Sequence, residues 1–233
     1  MTDSVAATLA EQQEYYRARA GEYDEWWFRR GRYNRGADLT ALWFADAAEV
    51  ERALDALDLG GRILELAGGT GIWSEKLLRY ADELTVVDAA AEVLVINEAR
   101  LRSERVRYVR TDVFDWRPAE RFDAVFFGFW LSHVPESKFE SFWDLVRDSL
   151  APQGQVFFVD SQREPTATAS DQLLSNTSTT VRRLNDGRTF SIYKVFYDPT
   201  VLERRLEELG WNATLSTTSR YFIYGSCNRV DTR

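Results

Sequence analysis

Five small residues, Ala67, Gly68, Gly69, Thr70 and Gly71, interrupt an apolar run and open a helical pattern, and chemistry is most legible there. Ahead of them Ile63 to Leu66 has the length and composition of a buried strand, with an acid, Glu65, inside it. After them Trp73, Leu77 and Leu78 share one helix face. A glycine turn between strand and helix brings bare backbone close to a ligand and aims the helix N-terminus at it. Such a unit suits a nucleotide-like small molecule. Two more acids extend the pattern. Leu84 to Val87 is a second apolar strand, ending in Asp88 about 20 residues past the turn, where a carboxylate accepts from both hydroxyls of an unphosphorylated ribose. A third strand, Val106 to Val109, runs into Thr111, Asp112, Val113 and Phe114. Asp115, just ahead of Arg117 and Pro118, reads as a solvated turn acid.

The elements that must position these groups follow in order. A helix over 91–101 separates the second and third strands, Phe122 to Phe127 is a fourth strand and Gln155 to Val159 a fifth. Thr166 to Thr180, rich in Ser, Thr and Asn, reads as a surface loop leading to a hairpin turned by Asp186-Gly187. Arg182, Arg183, Arg188 and Lys194 lie on it, either as its wet face or as positive charge for an anionic substrate. Asp198 and Pro199 are the N-cap and first residue of a helix closed by Gly210, and two strands near Ala213 to Thr217 and Tyr221 to Tyr224 end the pattern.

Composition narrows the function. A chain of 233 residues makes one α/β domain with a sizeable core. No apolar run approaches the ~20 residues of a membrane span, and no secretory signal is evident. A net charge of −8 disfavours nucleic acid as a partner. The single cysteine, Cys227, forms no internal disulfide, nothing near it suggests a metal, and a cytoplasmic setting fits.

Where a dinucleotide fingerprint wants a third glycine the chain has Ser74, which counts against an NAD-type oxidoreductase. Glu65 followed by alternate small residues Ala67, Gly69 and Gly71 instead resembles motif I of the class I S-adenosylmethionine-dependent methyltransferases of small-molecule type, with Ala67 in place of the family's first glycine. The resemblance extends over Ile63 to about Asp160 and implies a Rossmann-like, doubly wound seven-stranded sheet, mostly parallel with an antiparallel last strand, plus an N-terminal helical cap. It implies S-adenosylmethionine as cofactor: Glu65 near its ammonium, Asp88 and Ala89 at the ribose, Asp112 and Val113 at the adenine, and Gly68, Gly69 and Gly71 beneath it. The loop after the fourth strand lacks the Asp/Asn-Pro-Pro-Tyr/Phe signature of amino-group nucleic-acid methylases, so a small-molecule acceptor, methylated on O or N, is expected. The expected division is a cap or lid over residues 1–58 and a core over 59–233, with a lid insertion at about 163–197.

Tyr16, Ala20, Tyr23 and Asp24 match the Tyr-x-x-x-Ala-x-x-Tyr-Asp entry segment of such enzymes, which folds over the cofactor. Tyr16 and Tyr23 are therefore candidate cofactor contacts. With Trp27 they also recur at helical spacing and would equally pack a cap. Beyond the fourth strand Phe129 is a candidate cofactor contact, and Trp27 and Trp130 are candidates for the substrate pocket, where aromatic faces favour a cation. His133, the one histidine, is the candidate general base, needed only for a protonated acceptor. The alternative is the same domain running a non-methylating reaction such as cyclisation or elimination.

Overall fold

The computed structural model describes residues 2–230, so the expected cap and core each run past the described residues at one end. The chain opens with α1 (Thr2–Arg19), a single 3-10 turn (Ala20–Glu22) and a short α2 (Tyr23–Trp27). Tyr16 and Tyr23 thus sit on either side of a break, not on one continuous helix. Next, α3 (Ala37–Asp55) buries Trp43, Ala47, Val50 and Leu54 on one face.

A seven-stranded sheet follows. Strands β1 (Arg62–Leu66), β2 (Glu83–Asp88), β3 (Val106–Arg110), β4 (Phe122–Gly128) and β5 (Leu150–Ser161) are parallel, β9 (Phe222–Arg229) is antiparallel to β5, and β8 (Trp211–Thr217) lies at the edge. The order β3-β2-β1-β4-β5-β9-β8 reverses direction between β1 and β4. Open α/β sheets bind ligands at the carboxyl ends of the strands beside such a reversal. The central strands are apolar on both sides because both faces are covered. One face packs against α6 (Phe139–Ser149) and α7 (Pro199–Glu208), the other against α3, α4 (Ile72–Leu77) and part of α5 (Ala91–Leu101). In β4, Val125 and Phe127 face the first layer, Ala124 and Phe126 the second.

Two sequence expectations change. The fifth strand begins at Leu150, five residues before the expected start, and passes through Pro152 and Gly154. Those residues read as breakers, but a register shift between Phe122 and Ala124 accommodates them at the strand's entry. The segment expected as a surface loop is partly interior: Ala167, Thr168 and Ala169 are buried, and the Ala167 carbonyl accepts from Trp26 and Arg29. The hairpin forms as β6 (Thr179–Arg183) and β7 (Thr189–Tyr193), with Gly187 at φ +93° in its turn. It packs on α1 through Tyr15, Leu184, Phe190 and Ile192.

Candidate active site

The glycine turn after β1 is held by three buried polar side chains. Gly71, the N-cap of α4, has φ +89° and lies so close to Asn97 that a Cβ there would come within 2.7 Å of its Cγ. Asn97 Nδ2 donates to Ser74 Oγ at 2.8 Å, and Ser74 in turn donates to Glu65. The serine in the third-glycine position therefore orients the acid of β1. Glu65 is 2% exposed, and burial pushes its carboxyl up to about 8. At Gly69, φ +54°, nothing lies within 4 Å of where a Cβ would stand. That space opens into the cavity described next.

A cavity of about 1340 Å³, part of it open to solvent, runs along the carboxyl edge of the sheet beneath α1, α2 and the hairpin. Ala67, Gly69, Asp88, Ala89, Asp112 and Val113 line its β1–β3 side. Tyr16, Tyr23, Phe129, Trp130 and His133 line the remainder. Glu65, Gly68 and Trp27 lie instead on a smaller adjoining space shared with Tyr23, Ala67, Gly69 and Phe129. Trp27 is otherwise part of the aromatic core, 5.9 Å from Trp43 and 5.7 Å from Trp73 between ring centroids. Gly71 borders neither space and serves α4.

The acids at this edge are built into the backbone. Asp88 accepts from Gly69 N at 3.0 Å and Ala90 N at 2.9 Å, and Asp112 accepts from Phe114 N at 2.9 Å and Gln13 Nε2 at 2.6 Å. Burial raises the pKa of both. Asp115 is exposed, in accord with a turn acid. Asp24 ties α2 to the turn, accepting from Thr70 Oγ1 at 2.6 Å while pairing with Arg100.

Beneath the hairpin the cavity is lined by Arg19, Arg182 and Lys194, with Glu164 as an acid among them. Strand alternation separates Arg182 from Arg183: Arg182, with Lys194 just past β7, lines the cavity, while Arg183 and the turn residue Arg188 are exposed. Lys194 is buried and pairs with Asp160 at 3.2 Å. Arg182 donates only to Thr168 Oγ1 at 2.8 Å and Gln172 Oε1 at 3.1 Å, and Arg19, 9% exposed, only to Tyr33 Oη at 3.3 Å. Among the described residues neither guanidinium meets a carboxylate, unlike the surface arginines paired at Asp171, Glu120 and Glu136. Burial, with Arg19 nearby, lowers the pKa of Arg182.

His133 is buried with both ring nitrogens engaged. Nδ1 lies 2.6 Å from the Tyr193 carbonyl, which can only accept, so Nδ1 carries the hydrogen; Nε2 then accepts from Tyr16 Oη at 2.7 Å. Burial, then the nearby Lys194, pushes its pKa down to about 3.

The residues fit a cationic nucleoside: the half-buried Asp88 and Asp112 line an opening floored by Gly69, where any side chain would intrude, and the buried Glu65 borders the adjoining space. A sequence model of the family described as methyltransferase domain matches residues 63–154. The structure of DhpI with S-adenosylhomocysteine is 36% identical over 97% of this chain and 98% of that one, with a TM-score of 0.77. This chain belongs to the class I S-adenosylmethionine-dependent methyltransferases. DhpI in a complex titled SAM-HEP gives 36% identity over 95% of this chain and 97% of that one, with a TM-score of 0.78. The N-methyltransferase NodS from Bradyrhizobium japonicum WM9, with S-adenosylhomocysteine, shares the fold at 16% identity over 82% of this chain and 88% of that one, TM-score 0.58. No curated protein matches the chain. The enzyme is thus a methyltransferase with S-adenosylmethionine as cofactor, which sets the nicotinamide alternative aside. Among the described residues no helix is long and apolar enough to cross a membrane, and no cluster of His, Cys, Asp and Glu is arranged to hold a metal.

Sequence reasoning missed Gln12, Gln13, Arg19, Ser74 and Asn97. One signal was available for Arg19: it stands three and four residues after Tyr16 and Tyr15, the spacing that places side chains together on a helix. Ser74 was noticed only as a missing glycine.

Proposed function

We propose that this methyltransferase acts on a small molecule, methylating an oxygen or nitrogen, and that the acceptor carries a negatively charged group. The observation behind this reading is one continuous cavity with Asp88 and Asp112 at its β1–β3 side and, beneath the hairpin, Arg19 and Arg182 without a carboxylate partner among the described residues. Asp88 and Ala89 would hold the ribose, Asp112 and Val113 the adenine, and Glu65, positioned by Ser74, the ammonium, with Gly68, Gly69, Ala67, Tyr23 and Phe129 completing the cradle. Trp130 and Tyr16 would border the acceptor, and Arg19 and Arg182 would bind its charge. Trp27 would contribute as packing behind Phe129, from which it lies 6.0 Å between ring centroids.

S-adenosylmethionine would supply a methyl group on a sulfonium sulfur, whose methyl carbon is already electrophilic, so the protein's contribution is alignment and exclusion of water. The aromatic walls and the cap perform both. A neutral amine or an ionised oxygen needs no base; a hydroxyl does. His133, with both ring nitrogens engaged and its pKa pushed down to about 3, is a poor proton acceptor, and it would act through Tyr16 Oη as a positioning residue. A reducing cytoplasm is the proposed setting, since the one cysteine, Cys227, is buried and unpaired.

The test is incubation with S-adenosylmethionine and a panel of anionic, neutral and cationic metabolites, read by mass spectrometry. One S-adenosylhomocysteine released per methylated anionic product supports the reading. Methylation confined to cationic acceptors would reject the charge assignment. Product formed without S-adenosylmethionine would favour a non-methylating reaction.

A further inference from the structure

Four hydrogen bonds close a ring where three separate parts of the chain meet. Gln12 of α1, 3% exposed, donates from Nε2 to the His133 carbonyl at 3.3 Å and accepts at Oε1 from Tyr193 N at 3.0 Å. His133, in the loop after β4, donates from Nδ1 to the Tyr193 carbonyl at 2.6 Å and accepts at Nε2 from Tyr16 Oη of α1 at 2.7 Å. At the adjoining residue of α1, Ser191 N donates to Glu11 Oε1 at 2.7 Å. The amides of Ser191 and Tyr193, on the side of β7 away from the β6 ladder, are thus capped by side chains of α1.

We infer that His133 is the catch of a lid, locking α1 onto both the hairpin and the sheet loop, and that releasing it is the step that admits and frees ligands. This regulates the site assigned above and rests on that reading for what enters. The geometry shows what an imidazole does at this position. Its donor edge serves the Tyr193 carbonyl and its acceptor edge the Tyr16 hydroxyl. Phe or Leu would fill the volume and satisfy neither. The hairpin's foot is held independently, by Val195 N donating to the Ser132 carbonyl at 2.8 Å and by Lys194 on Asp160. The element free to lift is therefore α1. Its departure uncovers the Ser191 and Tyr193 amides, which then lose the partners that α1 gives them and exchange with solvent.

The experiment uses hydrogen exchange on the cofactor-free protein, then S-adenosylhomocysteine dissociation followed by tryptophan fluorescence. Tyr16→Phe removes one bond of the ring and no volume. Gln12→Leu removes two and leaves the His133 carbonyl and Tyr193 N–H without partners. Exchange over 9–19 and at Ser191 and Tyr193 should accelerate together, about threefold to tenfold in Tyr16→Phe, one hydrogen bond's worth, and about tenfold or more in Gln12→Leu. Exchange in β1 and β4 should not change, which shows that the variants are folded. Dissociation should quicken in step. A lost cofactor contact alone would quicken dissociation in Tyr16→Phe but leave the Ser191 and Tyr193 amides protected. Unchanged exchange, or acceleration in α1 without the two hairpin amides, overturns the catch. Failure of S-adenosylhomocysteine to bind the parent protein would count against the cofactor site, while the exchange result would still decide the catch.

Discussion

At the scale of single residues, two cavity-lining positions carry backbone strain. Ala67 and Phe129 have φ of +55° and +56°, left-handed values that cost a side-chain-bearing residue about 1–2 kcal/mol. Ala67 occupies the place of the family's first glycine, so Ala67→Gly should stabilise the protein, by about 0.5–1 kcal/mol after the greater chain entropy of glycine is subtracted. Urea unfolding measures it, and a loss of stability would mean that the alanine methyl packs better than its strain costs. Asp88 tests the cofactor assignment at the same scale. Its two oxygens already hold Gly69 and Ala90, leaving one lone pair on each for ribose hydroxyls. Asp88→Asn should weaken S-adenosylhomocysteine by about 1.5–3 kcal/mol, because a charge-assisted acceptor is lost. Calorimetry giving parental affinity would remove the carboxylate from the site.

Among elements, the cap decides access. Asp24 joins α2 to Thr70 of the glycine turn and to Arg100 of α5, so a ligand seated over that turn should order the segment behind it. S-adenosylhomocysteine should therefore slow hydrogen exchange across 15–35; equal exchange with and without it would leave α2 a packing element. Much of this architecture was readable beforehand. The strand, turn and helix around Gly69, the strand-end acids and the Asp186-Gly187 hairpin follow from local pattern, because turns and periodicity act over a few residues. The ring at His133 was not readable. Gln12 and His133 are 121 residues apart and Gln12 and Tyr193 are 181 apart, and no local pattern pairs them. Likewise alternation says that Arg182 and Arg183 point to opposite sides, but only the packing of the hairpin on α1 says which faces inward. Pro152 and Gly154 hid the start of β5 because a bulge allows residues that a regular strand would reject.

For the whole molecule, the buried titratable groups set a pH dependence with two limbs. His133 folds with a pKa pushed down to about 3 against 6.5 for an ordinary histidine. Between those values the unfolded chain binds a proton that the folded chain refuses, so stability falls as pH drops from about 6.5 toward 3. Glu65 works the other way. Its carboxyl is raised to about 8 from 4.5, so between those values the folded chain holds a proton that the unfolded chain has lost, and stability falls as pH rises. Asp88 and Asp112, also raised by burial, contribute with the same sign as Glu65. The two contributions oppose each other between about 4.5 and 6.5, so the cofactor-free protein should show a plateau there and a decline on either side. Scanning calorimetry reads it, each kcal/mol appearing as about 2–4 °C of Tm. Glu65→Gln should flatten the alkaline limb and His133→Asn the acid limb, each without the other. A cation placed beside Glu65 favours its ionised form, so S-adenosylmethionine should raise Tm more at pH 8 than at pH 6. That difference should vanish in Glu65→Gln. An equal or smaller shift at pH 8 in the parent protein would place the cofactor's ammonium away from Glu65 and leave that acid as part of the turn's scaffold alone.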